Sequence, residues 1–144
     1  VHTTIDTCGY PFTYDEPFFS KFQELMKYTD LILLDIKHIN NQEHIKLTTK
    51  ENTPVIELAK YLDKIHKPVW IRHVLIDTIT DNDEYLQELR EFIDTLSNVE
   101  QVDVLPYHSL GEFKYEQLGM KYPLKGILPP NQERIDNAKK ILCK

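Results

Sequence analysis

The chain has 144 residues, of which 41% are hydrophobic and 28% are charged. This balance is typical of one globular domain, here residues 1–144, and argues against a disordered or fibrous protein. Acidic residues outnumber basic ones by 23 to 17, a formal net charge of -6. We therefore expect no nucleic-acid partner, because phosphate binding depends on clustered Lys and Arg. No apolar run is long enough for a membrane span and no secretory leader is seen, so we expect a cytoplasmic protein without membrane contacts.

Cysteine and glycine positions exclude several kinds of site. Cys8 and Cys143 are the two cysteines and stand near opposite ends of the sequence, which excludes a CxxC metal pair and a disulfide framework. The four glycines are too far apart to build a GxGxxG turn or a phosphate-binding loop. Because the sequence opens at Val1, inside a predicted strand, we expect it to be a fragment of a longer protein.

Apolar runs and helical patterns alternate along the chain. Strands are predicted at residues 1–7, 31–37, 69–76 and 101–107, which are rich in Val, Ile and Leu, as strands covered on both faces are. Residues 18–26, 56–65, 85–96 and 130–144 follow the three-and-four spacing of amphipathic helices. Asn52 or Thr53 with Pro54 is the predicted start of the second helix, and Thr80 with Asp83 or Glu84 that of the third.

Alternation of strands and helices at this spacing predicts right-handed crossovers and a parallel sheet, which is the α/β class. A complete (β/α)₈ barrel needs roughly 250 residues. Four strands cannot close such a barrel. We therefore expect a sheet that is open, or that is completed by chain outside this sequence.

Charged or titratable residues lie at or near the carboxyl end of every predicted strand. In parallel α/β folds the loops at this edge form the ligand site. Asp35 and Lys37 share a strand face with Leu33 and lie in an otherwise apolar run, so they form either a structural ion pair or part of a site. The whole set comprises Asp6, Asp35, Lys37, Arg72, His73 and His108.

The residues by themselves leave several functions open. Acyl transfer is disfavoured because no GxSxG turn is present. Lys37 could form a Schiff base, as in aldolases, and Asp6 and Asp35 with His108 could hold a cation for a lyase reaction. A third alternative is a non-catalytic module whose strand-end loops bind a partner protein. His108 could also simply cap the helix that follows it.

Four linked segments are specific enough to indicate a family. They are TIDTCGY at residues 4–10, LLDIK at 33–37, VWIRHV at 69–74 and VLPYHSLG at 104–111. Together they closely resemble the C-terminal portion of the pyruvate formate-lyase activating enzymes, a radical S-adenosylmethionine family. The resemblance runs the length of the chain. It implies a partial (β/α)₆ TIM-like barrel, of which this chain holds four strands.

The resemblance implies that the complete enzyme makes a glycyl radical on pyruvate formate-lyase. In this family a 5′-deoxyadenosyl radical, formed from S-adenosylmethionine at a reduced [4Fe-4S] cluster, removes a hydrogen atom from a glycine of the lyase. An electron donor such as flavodoxin or ferredoxin is the second implied partner. The Cys-x3-Cys-x2-Cys cluster motif and the Gly-Gly-Glu motif of the family are absent from this sequence. We therefore expect this chain to hold no cluster ligand and no catalytic residue, and to be inactive alone.

The resemblance also assigns binding roles to single residues. Lys37 matches the lysine that pairs with the methionine carboxylate of S-adenosylmethionine, a role that suits a compact ammonium. Asp35 belongs to the same cosubstrate site. Arg72, Val74 and His108 match residues that position the adenosyl and methionyl parts of the cosubstrate.

A monovalent-cation site beside the cosubstrate is implied as well. Its ligands would be Asp6, Thr7, Asp35 and the backbone carbonyl of Leu33, and oxygen donors of this kind suit a hard cation. One departure from the family lies after the third strand, where Asp77-Thr78 replaces the usual Pro-Gly. The turn beside the adenosyl site can therefore differ from that of the family.

Overall fold

A computed structural model describes residues 1–143 of the chain. Four strands alternate with helices as the sequence predicts. The elements are β1 (Thr4–Thr7), α1 (Phe18–Lys27), β2 (Leu31–Asp35), α2 (Asn41–Thr48), α3 (Thr53–Lys64), β3 (Val69–Leu75), α4 (Asp83–Asp94), β4 (Val99–Pro106), a 3₁₀ turn (Ser109–Gly111), α5 (Glu112–Gln117) and α6 (Gln132–Leu142).

The strands form one parallel sheet in the order β1-β2-β3-β4. The α/β class, the parallel βα repeats and the open four-stranded sheet are thereby confirmed. β1 begins at Thr4 rather than at residue 1, and β4 begins at Val99 rather than at residue 101. Completion of the sheet to a six-stranded partial barrel, and the extent of the domain over residues 1–144, remain predictions.

The helices cover one face of this sheet. Side chains of β2 and β3 alternate between buried and half-buried, and Leu34, Ile71 and Leu75 are 0% exposed on the covered face. Helical residues such as Leu62 and Leu89 pack against them. The expectation of strands covered on both faces is therefore wrong for the described residues. The runs read as continuously apolar because the open face also carries apolar side chains: Leu33, Trp70, Val74 and Leu105.

Two helices, α2 and α5, lie outside the four segments with helical periodicity. α2 buries a single residue, His44, so it lacks an apolar stripe, and α5 buries none. The signal that could have revealed α2 is Asn40, whose Oδ1 accepts hydrogen bonds from the backbone N–H groups of Gln42 at 3.0 Å and Glu43 at 3.2 Å.

The predicted helix starts are only partly right. Asn52 precedes α3, but its side chain donates to the carbonyl oxygen of His38 at 3.2 Å instead of capping the helix. α4 is capped by Asn82, not by Thr80. The Thr80 hydroxyl instead donates to the carbonyl oxygen of Val74 at 2.7 Å and accepts from the N–H of Ile76 at 2.7 Å.

Two histidines are buried near the carboxyl ends of β2 and β3. His73 is 3% exposed and donates from Nδ1 to the carbonyl oxygen of Ile36 at 2.9 Å. His38 is 1% exposed, and its Nδ1 accepts from the N–H of Asn40 at 3.1 Å. Neither Nε2 atom has a hydrogen-bond partner among the described residues. Burial lowers the pKa of both imidazoles, so both are neutral in the folded protein.

Because His38 and His73 are buried in the neutral form, we expect the folded protein to lose stability in mild acid. The unfolded chain takes up protons near the ordinary histidine pKa of about 6.5, whereas the folded chain does so only at lower pH. The free energy of unfolding therefore falls as the pH drops below that value, by up to about 1.4 kcal/mol per pH unit for each histidine. Urea unfolding at pH 7.5 and pH 5.5 measures the slope. His73→Gln should flatten it and the exposed control His2→Gln should not; equal slopes in wild type and His73→Gln would contradict the assignment.

Candidate active site

The candidate site lies on the open face of the sheet, toward the carboxyl ends of the strands. Strand register pairs Asp6 with Leu33 and Asp35 with Arg72. On the other side of β3, Arg72 lies opposite Asp103 of β4 in the strand register. Because side chains alternate along each strand, these residues all project from the face that the helices leave uncovered.

Asp6, Asp35 and Arg72 form a continuous ionic network with Lys37, which follows β2 by two residues; the four are called here the charge cluster. Arg72 Nε donates to Asp35 Oδ1 at 2.7 Å, and Arg72 Nη2 donates to Asp6 Oδ1. Lys37 Nζ donates to Asp35 Oδ2 at 2.6 Å. One guanidinium thus bridges carboxylates from two strands, and one carboxylate binds two cations.

Partial burial strengthens this network relative to surface ion pairs. The side chains of Asp35 and Arg72 are 16% and 19% exposed, Lys37 is 33% exposed and Asp6 is 61% exposed. Desolvation opposes the charge of Arg72, but the hydrogen bonds that Arg72 donates to Asp35 and Asp6 outweigh it and raise the pKa of the guanidinium. The inner half of the cluster is therefore a fixed, charged unit, while the ammonium of Lys37 still reaches solvent.

The other predicted site residues lie outside the cluster. Val74 is half-buried on the same face as Arg72, two positions along β3. His108 is exposed just after β4, and within the described part of the chain no hydrogen bond joins it to the cluster; nor does its side chain cap the 3₁₀ turn that follows. Thr7 lies on the opposite face, where its Oγ1 accepts from the N–H of Gly9 at 3.0 Å. The binding roles assigned to all of these residues stay predictions.

The turn after β3 contains a residue in the left-handed region of backbone conformation. Thr78 has φ of +63°, in the left-handed region that glycine occupies readily and a β-branched residue rarely does.

Sequence reasoning missed two polar residues that bear on the site. Asp103 lies beside Arg72 in the register and accepts a hydrogen bond from Gln101 Nε2 at 2.7 Å. Strand parity could have revealed Asp103, because it precedes the buried Val104 and so must project from the opposite, open face. Thr80 ties the loop after β3 to Val74 through its hydroxyl, and no pattern in the sequence distinguishes that role from a helix cap.

The residues present do not fit an iron–sulfur cluster. Cys8 and Cys143 are both exposed, and Cys143 Sγ donates to the carbonyl oxygen of Val102 at 3.1 Å on β4. Over residues 1–143, no three His, Cys, Asp or Glu side chains converge as metal ligands. Within the same residues, no helix has the length and apolar character that a membrane span requires.

No family model matches the sequence. Curated relatives named pyruvate formate-lyase-activating enzyme do match. The protein of Listeria monocytogenes serovar 1/2a is 57% identical over 142 residues, which are 99% of this chain and 57% of the relative. That of Streptococcus mutans is 48% identical over 142 residues, 99% of this chain and 54% of the relative. The chain thus spans about half the length of the curated relatives it matches.

Solved structures agree on the fold. A domain of pyruvate-formate lyase-activating enzyme from Bacteroides vulgatus matches with a TM-score of 0.77 and 20% identity, over 99% of this chain and 75% of that one. A radical SAM methyltransferase from Sphaerobacter thermophilus matches with a TM-score of 0.68 and 19% identity, over 96% of this chain and 36% of that one. The sequence relationship, with its much higher identity, goes further: the chain belongs to the pyruvate formate-lyase-activating enzyme family.

Proposed function

We propose that this chain is the cosubstrate-positioning part of an enzyme that generates the glycyl radical of pyruvate formate-lyase with S-adenosylmethionine. The observation that carries the proposal is the 57% identity, over 99% of the chain, to a relative named for that activity. The activity belongs to the longer protein, because the cluster ligands are not among the described residues of this chain. A cytoplasmic location and an electron donor such as flavodoxin or ferredoxin are part of the same proposal.

Lys37 and Arg72 are the groups that suit the methionyl end of the cosubstrate. That end carries a carboxylate, and the Lys37 ammonium is one third exposed and fixed by Asp35. Arg72 is fixed by the same carboxylate from the neighbouring strand. Asp35 therefore orients two cations at once, which limits the rotamer freedom lost on binding.

Val74 and His108 are proposed to contact the remainder of the cosubstrate. Val74 offers a half-buried apolar surface whose backbone is held by Thr80, and His108 offers an exposed ring at the same edge of the sheet. When bound, the cosubstrate supplies the hydrogen-abstracting adenosyl group. This chain supplies its placement, which is what raises the effective concentration of the reacting atoms.

The test uses the complete protein, reconstituted with iron and sulfide without oxygen and then reduced. S-adenosylmethionine cleavage and a glycyl-radical signal in the electron paramagnetic resonance spectrum of the lyase are expected. Lys37→Ala should lower both, whereas Lys60→Ala, which removes an exposed lysine paired with Glu57 at 3.0 Å, should leave both unchanged. A reconstituted protein that never cleaves S-adenosylmethionine would overturn the proposal.

A partner-binding module without chemistry of its own is the second candidate. It is favoured by large apolar side chains left exposed in the segment after β4, among them Leu110 at 73%, Leu118 at 72% and Leu128 at 72%. The proposed occupant is the lyase. Calorimetric titration of the lyase with the unreconstituted protein distinguishes the candidates, since a module binds the lyase without cluster or cosubstrate, and no association at high concentration rejects it.

Schiff-base chemistry at Lys37 has less support. Nζ forms a 2.6 Å ion pair with Asp35, whereas an amine that attacks a carbonyl carbon must be free of its proton. Borohydride trapping with a carbonyl substrate would reveal the reaction, and its failure removes this alternative.

A further inference from the structure

We propose that Arg134 of α6 is a positioning residue for the cosubstrate. By binding Asp81 it fixes the β3–α4 loop, residues 76–82, and through that loop it holds the contact surface at Val74. The inference rests on the proposed function and deepens it, because it assigns a role in cosubstrate binding to a residue that touches no ligand itself. Arg134 is not among the residues that sequence patterns or the family resemblance assign to the site.

The β3–α4 loop is built around one backbone oxygen at the end of β3. The carbonyl oxygen of Ile76 accepts from the N–H groups of Ile79, Thr80 and Asp81 at 3.1, 3.0 and 3.1 Å. The Thr80 hydroxyl joins this turn to the strand, since it donates to the carbonyl oxygen of Val74 at 2.7 Å and accepts from the N–H of Ile76 at 2.7 Å. The backbone position of Val74 therefore depends on the conformation of the loop.

Arg134 holds the far end of this loop. Its Nε donates to Asp81 Oδ1 and Oδ2 at 3.0 Å each, and its Nη2 donates to Asp81 Oδ1 at 2.6 Å. The side chain of Asp81 is 2% exposed. Within residues 1–143, no other side chain donates a hydrogen bond to this carboxylate. Because a buried carboxylate without its partner is costly, the closed loop depends on Arg134.

The same guanidinium also binds the residue that begins α4. Arg134 Nη2 donates to Asp83 Oδ1 at 2.6 Å, and Asn137 Nδ2, from the same helix, donates to that oxygen at 3.0 Å. A planar fork of N–H donors is what allows one side chain to bind two carboxylates at once. Arg134 thus clamps both the end of the loop and the start of the helix that follows it.

Packing of α4 against α6 does not by itself require this clamp. Apolar side chains of both helices, such as Leu89 and Ala138, already belong to the buried core. A second arginine joins the other ends of the two helices: Arg90 donates from Nη1 to the carbonyl oxygen of Leu142 at 2.9 Å and from Nε to Asp94 at 3.0 Å. The clamp on the loop differs in its place, because it lies at the edge of the sheet where the candidate site is.

A loosened loop lowers the affinity for the cosubstrate without changing a contact residue. When only a fraction of the molecules is competent to bind, the apparent dissociation constant rises by the inverse of that fraction. Loss of one hydrogen bond to a charged group shifts such an equilibrium by about 10-fold. We therefore expect Arg134→Gln to raise the Kd for S-adenosylmethionine by about 3- to 10-fold.

The test is isothermal titration calorimetry of the complete, reconstituted protein with S-adenosylmethionine. Arg134→Gln should show the raised Kd, and Arg134→Lys, which keeps the charge but loses the planar fork, should fall between it and wild type. Arg90→Gln is the matched control, because it removes an arginine that joins the same two helices away from the loop. It should lower the midpoint of urea unfolding but leave the Kd unchanged.

Amide hydrogen exchange gives a second readout that needs no cosubstrate. Exchange in residues 76–82, followed by mass spectrometry, should be about 10-fold faster in Arg134→Gln than in wild type, because these N–H groups are protected only while the loop is closed. Arg90→Gln should exchange like wild type in this segment. Unchanged exchange in Arg134→Gln would overturn the role of the clamp.

A double-variant cycle tests whether the effect passes through Val74. If it does, Arg134→Gln should raise the Kd by a smaller factor in a Val74→Ala background than in the wild type, since part of the contact it controls is already gone. Equal factors in the two backgrounds would overturn this route.

The results also separate this inference from the proposed function. A wild type that binds no S-adenosylmethionine overturns both. Binding by the wild type with an unchanged Kd in Arg134→Gln overturns the positioning role alone, and so does an equal rise of the Kd in Arg90→Gln. If Arg134→Gln fails to fold, Arg134→Lys decides in its place: faster loop exchange with a raised Kd supports the role, and wild-type values of both overturn it.

Discussion

Asp35→Ala will weaken binding of S-adenosylmethionine to the complete protein by about 10- to 100-fold, because hydrogen bonds to charged groups contribute about 1.5 to 3 kcal/mol. Asp35 binds both Lys37 and Arg72, and no other carboxylate in residues 1–143 does so. Without it the two cations repel each other and lose their fixed orientation. Isothermal titration calorimetry of the protein with S-adenosylmethionine measures the effect.

Asp103→Ala is the matched control for this prediction. Asp103 lies on the same face, beside Arg72 in the register, but its Oδ1 accepts from Gln101 rather than from either cation of the cluster. Its removal should change the affinity little. Equal affinities for Asp35→Ala and wild type would mean that the ion pairs of Asp35 with Lys37 and Arg72 are only structural. That conclusion would hold even if the wild type forms the glycyl radical.

Gly9→Ala will reduce the free energy of unfolding by about 2 to 5 kcal/mol, the sum of a left-handed backbone penalty and overpacking. Gly9 has φ of +74°, and an added Cβ would lie 3.1 Å from Val55 Cα and 3.3 Å from Leu34 Cδ1 and Leu58 Cδ2. The nearest atom belongs to the backbone of α3 and cannot rotate away. Urea unfolding monitored by circular dichroism measures the loss.

Gly119→Ala isolates the backbone contribution. Gly119 has φ of +65°, but an added Cβ would have nothing within 4 Å. This variant should lose only about 1 to 2 kcal/mol, the cost of a left-handed conformation for an L-residue. Equal losses in the two variants would show that the close approach of Gly9 to α3 contributes nothing.

The packing around Gly9 also bears on the site. Gly9 follows β1 by two residues and is buried against Leu34 of β2 and two residues of α3. This contact holds the end of β1 against the body of the protein, which places Asp6 within reach of Arg72. Backbone conformation and close packing thus explain why glycine stands in the TIDTCGY segment, without any contact to a ligand.

Local patterns in the sequence were enough for the class of fold. Short apolar runs separated by three-and-four periodic helices specify βα repeats, and the crossover rule makes their sheet parallel. The same reasoning placed Asp6, Asp35 and Arg72 at one edge, because the carboxyl ends of parallel strands lie together. Family membership also came from sequence, through four linked segments in order.

Other features depended on contacts between distant residues. α2 and α5 bury too little apolar surface to leave a periodic pattern, and the Thr80 hydroxyl binds Val74 rather than the start of α4. Strand parity did assign residues to faces, but it did not identify the face that the helices cover.

The charge cluster itself is a product of tertiary structure. Arg72 is 37 residues from Asp35 and 66 residues from Asp6 along the chain, and their distances follow from the register of three strands. That register is the one in which the four parallel strands pair. The sequence therefore determined which residue types are present for an ionic site. The tertiary structure decided that one arginine binds both carboxylates, because only folding brings the three separate strands side by side.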